Sequence, residues 1–210
     1  MIQRATQTRQ FGPADHGRRL TYDQYLAGEF AEGFKYELID GALFVSPEAN
    51  PTHSWVEVWL MAQLLKYSTE HPEVINHVNN KARVFVPGRV DLTAPEPDVA
   101  AYQDFPRGRP SLRVRWENFS PVLVAEVISP RGEEKDLVRN VELYWQVPSI
   151  KEYWVFDLRP EAQHPLFVYR RQATKWKVLR KAPGETYTTR LLPGFALQVE
   201  SNEEPDETEE

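Results

Sequence analysis

The hydrophobic pattern of the chain switches from strand-like to helical and back along its length. Residues 122–128 form a continuous β-branched and aliphatic run, which is typical of a strand buried on both faces. Residues 152–158, EYWVFDL, are largely aromatic and predict a second buried strand. Between them, the apolar residues of 132–146 recur at helical spacing: Leu137, Val138, Val141, Tyr144 and Trp145. A strand, a helix and a strand in succession predict a right-handed crossover with two parallel strands.

Two more helices are predicted upstream of this segment. From Thr52, apolar residues cover more than one face of a helix of about five turns, so we expect that helix to lie well inside the protein. Trp55 and Trp59 are accordingly predicted to be core residues. A Ser/Thr-x-x-Glu/Gln start, formed by Thr21 and Gln24, predicts a short helix, because the two residues can satisfy each other's free backbone N–H groups.

A hairpin and several further strands complete the pattern. Residues 36–39 and 42–46 are separated by Asp40 and Gly41, and Asp-Gly is a strong turn signal because both turn positions need a positive φ. Further strands are predicted at 82–86, 98–102, 166–171, 176–181, 186–188 and 196–199. These elements predict an α/β (α+β) fold, in which helices flank a mixed sheet that has an N-terminal hairpin and a β-rich C-terminal extension.

One domain is expected, because 210 residues with 41% hydrophobic and 27% charged positions suffice for a sizeable core. We predict that the domain covers residues 21–199, after a loosely ordered start at 1–20. Residues 200–210 carry seven acids and no base, which predicts a disordered acidic tail. Without these acids the net charge of −6 becomes +1, so charge neither demands nor excludes nucleic acid as a partner.

Several classes of protein are excluded by what the sequence lacks. It has no apolar run of transmembrane length and no apolar segment of a secretory signal near its start, so no membrane association is predicted. It has no cysteine, which fits a reducing cytoplasm and rules out thiolate chemistry. Without an HExxH motif no zinc site is predicted, and without a Walker loop or GxGxxG no nucleotide cofactor is predicted.

A carboxylate in a hydrophobic strand is the strongest chemical signal. Glu126 lies in the middle of the run 122–128, and taking a carboxylate out of water is costly unless a cation or several donors meet it. Asp98 heads another short apolar strand and could lie beside Glu126. Two adjacent carboxylates repel each other unless a cation lies between them, and their oxygens suit Mg²⁺ or Mn²⁺. Glu37 could add a third oxygen ligand.

Each acid also has a purely structural interpretation. Asp98 could serve only to begin a strand after a proline. Glu126 could be a buried ion-pair partner of Arg139 or Arg83. Glu37 could point into solvent from a hairpin strand. The residues alone leave these alternatives open.

The order of short motifs resembles the bacterial Uma-two family of restriction-endonuclease-like proteins, in the PD-(D/E)XK nuclease superfamily. The matching segments cover most of residues 20–199: "YELIDG" (36–41), His53, "PDV" (97–99), "VAEVISP" (124–130), the spacing from Asp136 to Tyr144, and "KEYWVFD" (151–157). The resemblance implies an αβββαβ core and Mg²⁺-dependent hydrolysis of phosphodiester bonds in DNA. It implies that Asp98 and Glu126 bind the metal, with Glu37 as an accessory acid.

The lysine of the superfamily is missing from its expected places. It would normally stand two residues after Glu126, where this chain has Ile128. In the family it stands four residues after the position of Asp136, where this chain has Asn140. Helical spacing turns Asn140 towards the sheet, but an amide brings no positive charge to a developing oxyanion. By analogy with a lost oxyanion donor, the rate could fall by roughly 10²–10³.

The other polar residues give weaker signals. By the α-helical repeat, Lys135 and Arg139 lie on an outer stripe of their helix, away from the acids. His53 lies near a helix start, where a surface or capping role is expected. Basic residues that could contact nucleic acid are Arg107, Arg109, Arg113, Arg131, Lys135 and Arg139.

Two functional hypotheses follow. The first is an Mg²⁺- or Mn²⁺-dependent DNA endonuclease with Asp98, Glu126, Glu37 and Asn140 in its active site, impaired to the extent that Asn140 replaces a lysine. The second is a cleavage-deficient relative that binds nucleic acid or a protein. Nucleases of this fold often act as homodimers, although the sequence itself does not show one.

Overall fold

We describe a computed structural model of the chain for residues 9–48, 50–108, 114–128, 135–159 and 162–200. The predicted acidic tail from residue 201 and the first eight residues of the predicted loose start lie outside this part of the chain. Among the described helices, none combines the length and the apolar character needed to cross a membrane.

Three α-helices and twelve strands make up the described structure. The helices are α1 (Tyr22–Ala27), α2 (Pro51–Glu70) and α3 (Asn140–Trp145), and a π-helix over Lys135–Arg139 leads directly into α3. Short 3₁₀ helices span Pro13–Asp15 and Trp116–Asn118. The strands are β1 (Gln10–Phe11), β2 (Glu29–Phe30), β3 (Phe34–Ile39), β4 (Ala42–Pro47), β5 (His77–Asn79), β6 (Val99–Tyr102), β7 (Leu123–Ile128), β8 (Glu152–Asp157), β9 (Leu166–Arg171), β10 (Trp176–Lys181), β11 (Thr186–Thr188) and β12 (Ala196–Gln198).

A six-stranded mixed sheet organises the protein, with the strand order β10-β9-β8-β7-β6-β5. Strands β7 and β8 are parallel, and the other neighbours in this sheet are antiparallel. The π-helix and α3 lie between β7 and β8 in the chain, so the predicted crossover between two parallel strands is confirmed. The succession α2, β5, β6, β7, α3, β8 is the predicted αβββαβ core, and the mixed fold is confirmed.

The two faces of the sheet carry different helices. Along β7, Ala125 and Val127 belong to the core cluster that includes the buried side of α2. Val124 and Ile128 belong to the cluster that includes α3. Because side chains alternate along a strand, Glu126 lies on the face covered by α3. The π-helix and α3 therefore cover the face on which this carboxylate lies.

Helix α2 is less buried than its sequence suggests. The side chains of Trp55, Val58 and Leu65 are 57%, 63% and 44% exposed. The prediction that this helix lies well inside the protein, with Trp55 in the core, is wrong, because the helix packs on the sheet by one face only. The ring of Trp55 stacks instead on that of Trp59, with centroids 6.2 Å apart.

The prediction of a strand at residues 82–86 is also wrong. This segment is an extended loop, whose Val84 and Val86 N–H groups donate to the carbonyls of Pro95 (2.9 Å) and Thr93 (3.0 Å). The strand at this edge of the main sheet is β5, which is short and largely polar, and β10 forms the other edge. Alternating apolar residues indicate an extended backbone but do not say which neighbour it pairs with.

The predicted hairpin is confirmed and faces the main sheet. Asp40 and Gly41 both have positive φ, 48° and 73°, as its tight turn requires. An isolated bridge joins Leu38 to Ala94, in the segment that leads into β6. Lys35 and Glu37 are two residues apart on β3 and therefore share one face of the strand.

Arg171, on β9, fastens the end of α3 to the sheet. Its guanidinium contacts the rings of both Trp145 and Trp176, 4.3 and 4.6 Å from their centroids. It donates hydrogen bonds of 2.5–3.0 Å to four backbone carbonyls: those of Tyr144, Trp145, Val147 and Ile150. These bonds satisfy carbonyl groups that the end of a helix leaves free.

We expect Arg171→Ala to lower the free energy of unfolding by about 3 kcal/mol, because the carbonyls at the end of α3 lose a charged donor. Urea denaturation followed by circular dichroism measures this change. Lys177→Ala, at an exposed position of β10, is the control and should change stability by less than about 0.5 kcal/mol. Equal stability of the two variants would show that Arg171 does not anchor the helix.

Candidate active site

Polar side chains from four parts of the fold converge beside the central strands. They come from β3, the start of α2, the residue before β6 together with β7, and the π-helix with α3: Lys35, Glu37, His53, Glu57, Asp98, Glu126, Lys135, Asp136, Arg139, Asn140 and Tyr144. Val99 pairs with Ala125 in the antiparallel register of β6 and β7. Continuing that register by one residue places Asp98 opposite Glu126, as predicted.

The carboxylate of Asp98 is buried and accepts two hydrogen bonds. The Lys35 ammonium donates to its Oδ1 atom (2.8 Å), and the backbone N–H of Val127 donates to Oδ2 (2.8 Å). The Nε2 atom of His53 lies 3.2 Å from Oδ2. Burial alone would raise the pKa of Asp98, but Lys35 and His53 hold it well below its ordinary value. Asp98 is therefore ionised at neutral pH.

The carboxylate of Glu126 is fully buried, and its two oxygens differ. Oε1 accepts hydrogen bonds from the Asn140 amide (2.9 Å) and the Tyr144 hydroxyl (2.8 Å). Oε2 has no hydrogen-bond partner within the described chain. Its nearest cations are Lys35 and Lys135, at 3.8 and 3.9 Å. Burial raises the pKa of Glu126, and the two lysines only partly oppose this.

Asn140 holds the acids in place and is not free to bind a substrate. Its amide nitrogen donates to Glu126 (2.9 Å) and to Asp136 Oδ1 (3.1 Å). Its amide oxygen accepts from Arg139 Nε (3.0 Å). Asn140 faces the sheet, as the helical spacing predicts, but both of its N–H groups are engaged. A contact of Asn140 with a water or phosphate oxygen would require one of these bonds to break.

Glu37 is buried among cations. Arg139 donates to its Oε2 atom (2.9 Å), Lys135 lies 3.6 Å from the same oxygen, and the backbone N–H of Glu96 donates to Oε1 (3.1 Å). Burial would raise the pKa of Glu37, but Lys135, Arg139 and Lys35 lower it to about 2. The interpretation of Glu37 as a solvent-facing residue is wrong.

Two lysines lie within the site although the sequence pattern did not predict them there. Lys35 bonds Asp98 while approaching Glu126, so one ammonium lies between the opposed carboxylates. Lys135 approaches Glu37, Glu126 and Asp136 at 3.6–3.9 Å. Charged neighbours raise the pKa of both lysines despite burial, so both are cationic at neutral pH.

The π-helix explains why the expected position of Lys135 was wrong. An α-helix separates successive side chains by about 100°, whereas a helix with i→i+5 bonds separates them by less. The side chains of Lys135 and Arg139 therefore both point towards acids, whereas the α-helical repeat predicted that they lie on the outer side of the helix. For Lys35 a signal was present in the sequence, because it lies two residues before Glu37 and shares its strand face.

His53 and Glu57, one turn apart on α2, lie beside Asp98 and extend the cluster of polar side chains. One ligand atom from each, together with one from Asp98, lie within 4.8 Å of one another. Both ring nitrogens of His53 are buried, so the expected surface role of this side chain is wrong: in the described chain Nδ1 has no hydrogen-bond partner, and Nε2 has only its 3.2 Å contact with Asp98. The amide of Asn80 donates to Glu57 (2.7 Å). The His-x-x-x-Glu spacing on one helix face was the signal that could have revealed this group.

The arginines expected to pair with Glu126 bond other acids. Arg83 donates to Glu96 (2.7 Å), and Arg139 donates to Glu37 (2.9 Å). Glu126 is therefore met by an amide, a hydroxyl and two lysines instead of a guanidinium.

The candidate nucleic-acid contacts divide into three groups. Arg107 is exposed in the loop after β6. Lys135 and Arg139 are turned towards the acids, and their side chains are 23% and 22% exposed. Arg109, Arg113 and Arg131 lie outside the described residues.

Comparisons with known proteins agree with the resemblance seen in the motifs. The model of the Uma2 (Uma-two) family, described as "Putative restriction endonuclease", matches residues 21–200. A crystal structure of a "putative nuclease belonging to DUF820" from Anabaena variabilis superposes with a TM-score of 0.62 and 18% sequence identity, and the alignment covers 85% of this chain and 94% of the other. At that identity the superposition shows the shared fold. No curated protein matches the chain.

Glu37 should make stability depend on pH below about 5. Its pKa falls from an ordinary value of 4.5 to about 2 on folding, so its ion pairs stabilise the protein above about pH 4.5 and are lost as the pH falls towards 2. We expect Glu37→Gln to cost about 3 kcal/mol at pH 7 and progressively less between pH 5 and 3.

Urea denaturation at pH 7, 5, 4 and 3 provides the test. Glu142→Gln, at an exposed position of α3, should follow the wild type at every pH. A constant difference between wild type and Glu37→Gln across this range would show that the ion pairs of Glu37 do not drive the pH dependence.

Proposed function

The chain belongs to the Uma2 family, and we propose that it is a metal-dependent DNA endonuclease that hydrolyses phosphodiester bonds at the cluster around Asp98 and Glu126. One observation carries the proposal: Glu126 is fully buried opposite Asp98, and its Oε2 atom has no hydrogen-bond partner in the described chain. An anionic oxygen left in this way is costly, and a divalent cation would offset the cost.

The donor groups of the cluster fit a divalent cation. Asp98, Glu126 and Glu57 offer carboxylate oxygens, which suit Mg²⁺ and Mn²⁺. The imidazole of His53 contacts Asp98 through Nε2 and keeps Nδ1 without a hydrogen-bond partner in the described chain, and an imidazole ligand favours Mn²⁺ over Mg²⁺. We therefore propose that Asp98 is shared between Glu126 on one side and the His53–Glu57 pair on the other.

The residues of the chain would divide the chemistry as follows. A bound divalent cation would supply Lewis-acid polarisation of a phosphoryl oxygen and a water of lowered pKa. Lys135 lies at the rim of the acids and would stabilise negative charge on the phosphate in the transition state. Asn140 and Tyr144 would keep Glu126 oriented. Glu37 would hold Lys135 and Arg139 in position as an accessory acid.

The two lysines weigh against a cleavage-deficient relative. That alternative rested on the asparagine at position 140, where the family has a lysine. Lys35 and Lys135 bring two ammonium groups to the same acids from other parts of the fold.

DNA as the substrate rests on the description of the family. We further propose a cytoplasmic location, consistent with the lack of cysteine, and the homodimer stays a prediction.

We expect the wild type to bind Mn²⁺ and to nick supercoiled plasmid with Mn²⁺ or Mg²⁺. Glu126→Gln should abolish measurable Mn²⁺ binding in calorimetry and lower nicking at least about 100-fold, because the site loses the anionic ligand opposite Asp98. His53→Ala should weaken Mn²⁺ binding more than Mg²⁺ binding, because it removes the imidazole.

Glu142→Gln is the matched control, since it removes one exposed acid from the same helix as Asn140, and it should bind and nick like the wild type. Absence of Mn²⁺ binding by the wild type would overturn the proposal and leave Glu126 as a structural residue. Binding without nicking would favour a cleavage-deficient protein.

Lys135→Met should separate metal binding from turnover. Removing a cation near the acids should leave Mn²⁺ affinity equal or higher, because the ion meets less repulsion. Nicking should fall by about 100-fold, because charge stabilisation of the phosphate is lost. Calorimetry and plasmid nicking on the same samples measure both effects.

Lys177→Met, which removes an exposed lysine of β10, should change neither quantity. Unchanged nicking by Lys135→Met would exclude Lys135 from the reaction, and Lys35→Met would then test the other ammonium in the same two assays.

A further inference from the structure

An open cavity of about 610 Å³ lies over β5, at the edge of the main sheet. Its volume is in the range of pockets that hold small organic molecules. Flat aromatic groups and two guanidinium groups form most of its wall: Tyr22, Phe85, Phe105, Trp116, Arg83 and Arg115. A wall of this composition suits a planar, uncharged group that is attached to an anion.

The rings of the cavity are held in fixed orientations by their neighbours. Tyr22 meets Phe85 edge to face, with centroids 5.6 Å apart. The imidazole of His77 stacks on Phe105, with centroids 3.9 Å apart and planes inclined by 11°. Trp116 lies 5.9 Å from Phe105. The cavity therefore presents preformed aromatic surfaces.

One polar atom in the wall lacks a partner. His77 Nε2 is buried and has no hydrogen-bond partner in the described part of the chain. Burial lowers the pKa of His77, so its ring is neutral at pH 7 and offers one donor and one acceptor. Asn79, two residues along on the same face of β5, also lines the cavity and adds an amide. Such groups can bond the edge of a nucleobase.

The cavity adjoins the acidic cluster through two short connections. Asn79 pairs with Ala100, which is two residues from Asp98 along the chain. Arg83 bonds Glu96, whose N–H group bonds Glu37. Two residues along a strand span about 7 Å and neighbouring strands lie about 5 Å apart, so Asn79 and Asp98 are separated by roughly 8 Å, a distance of two or three nucleotides along a nucleic-acid strand. A strand with a phosphate at the acids could thus place a nearby base in the cavity.

We propose that this cavity binds one unpaired nucleobase of the strand whose phosphodiester bond lies at the acidic cluster. The proposal rests on the proposed nuclease function and extends it to the substrate. Trp116 and Tyr22 would contact the face of the base, and His77 and Asn79 would contact its edge. Arg115, whose side chain is 58% exposed, would contact an adjoining phosphate.

The test compares two ligands that differ only in their bases. One is a short fluorescent oligothymidylate, and the other is an abasic oligonucleotide of the same length and charge. Binding is measured by fluorescence anisotropy at low salt, in EDTA and in Ca²⁺. The wild type should bind the oligothymidylate about 10-fold more tightly, since stacking of one base contributes about 1–3 kcal/mol. Trp116→Ala should abolish this preference and leave binding of the abasic strand unchanged.

Trp55→Ala is the matched control, because it removes an exposed tryptophan from α2, outside the cavity, and it should keep the preference. Circular dichroism checks that each variant is folded. If Trp116→Ala does not fold, Tyr22→Ala, which removes another aromatic ring of the same cavity, provides the same comparison.

The outcomes separate this proposal from the nuclease function. A preference for bases that survives in a folded Trp116→Ala or Tyr22→Ala variant overturns the cavity as the base site. Equal binding of the two strands by a wild type that nicks plasmid overturns the cavity alone. A wild type that binds neither strand and nicks no plasmid overturns both proposals.

Discussion

The burial of two opposed carboxylates is the constraint on which the rest of the site depends. The register of β6 and β7 places Asp98, the residue before β6, opposite Glu126 on β7, and both side chains are buried. Anions buried side by side are costly unless cations or donors surround them. The hairpin supplies Lys35 and the π-helix supplies Lys135, so two elements far apart in sequence are joined by the same electrostatic requirement.

The same constraint shapes the proposed chemistry. The family position for a lysine holds Asn140, which is fully engaged in positioning acids. Positive charge reaches the cluster from other positions, and a π-helix makes this geometrically accessible to Lys135. The cluster therefore has positive charge beside its acids although Asn140 supplies none, because the field depends on where charges lie and not on which segment carries them.

Local sequence signals predicted most helices and strands correctly, but they did not predict what residues 82–86 pair with or how far α2 is covered. The Asp40–Gly41 hairpin and the cap at Thr21 were predicted from patterns within a few residues, and the parallel pair β7–β8 from the strand–helix–strand succession over residues 122–158. The strand at 82–86 and the deep burial of α2 were wrong. Both errors concern partners, since periodicity reports the shape of the backbone and the presence of apolar positions but not which surface covers them.

For the site, the sequence by itself determined the acids: a glutamate within a buried apolar run and an aspartate heading its neighbour strand are costly enough to be conspicuous. It also determined the αβββαβ order of elements that brings them together. Only the tertiary structure decided that Lys35, Lys135 and His53 meet those acids. The physical reason is the distance along the chain over which each effect acts. Strand and helix periodicities depend on residues close together in sequence, whereas charge pairing acts through space between distant segments. The local pattern does not specify how those segments pack together.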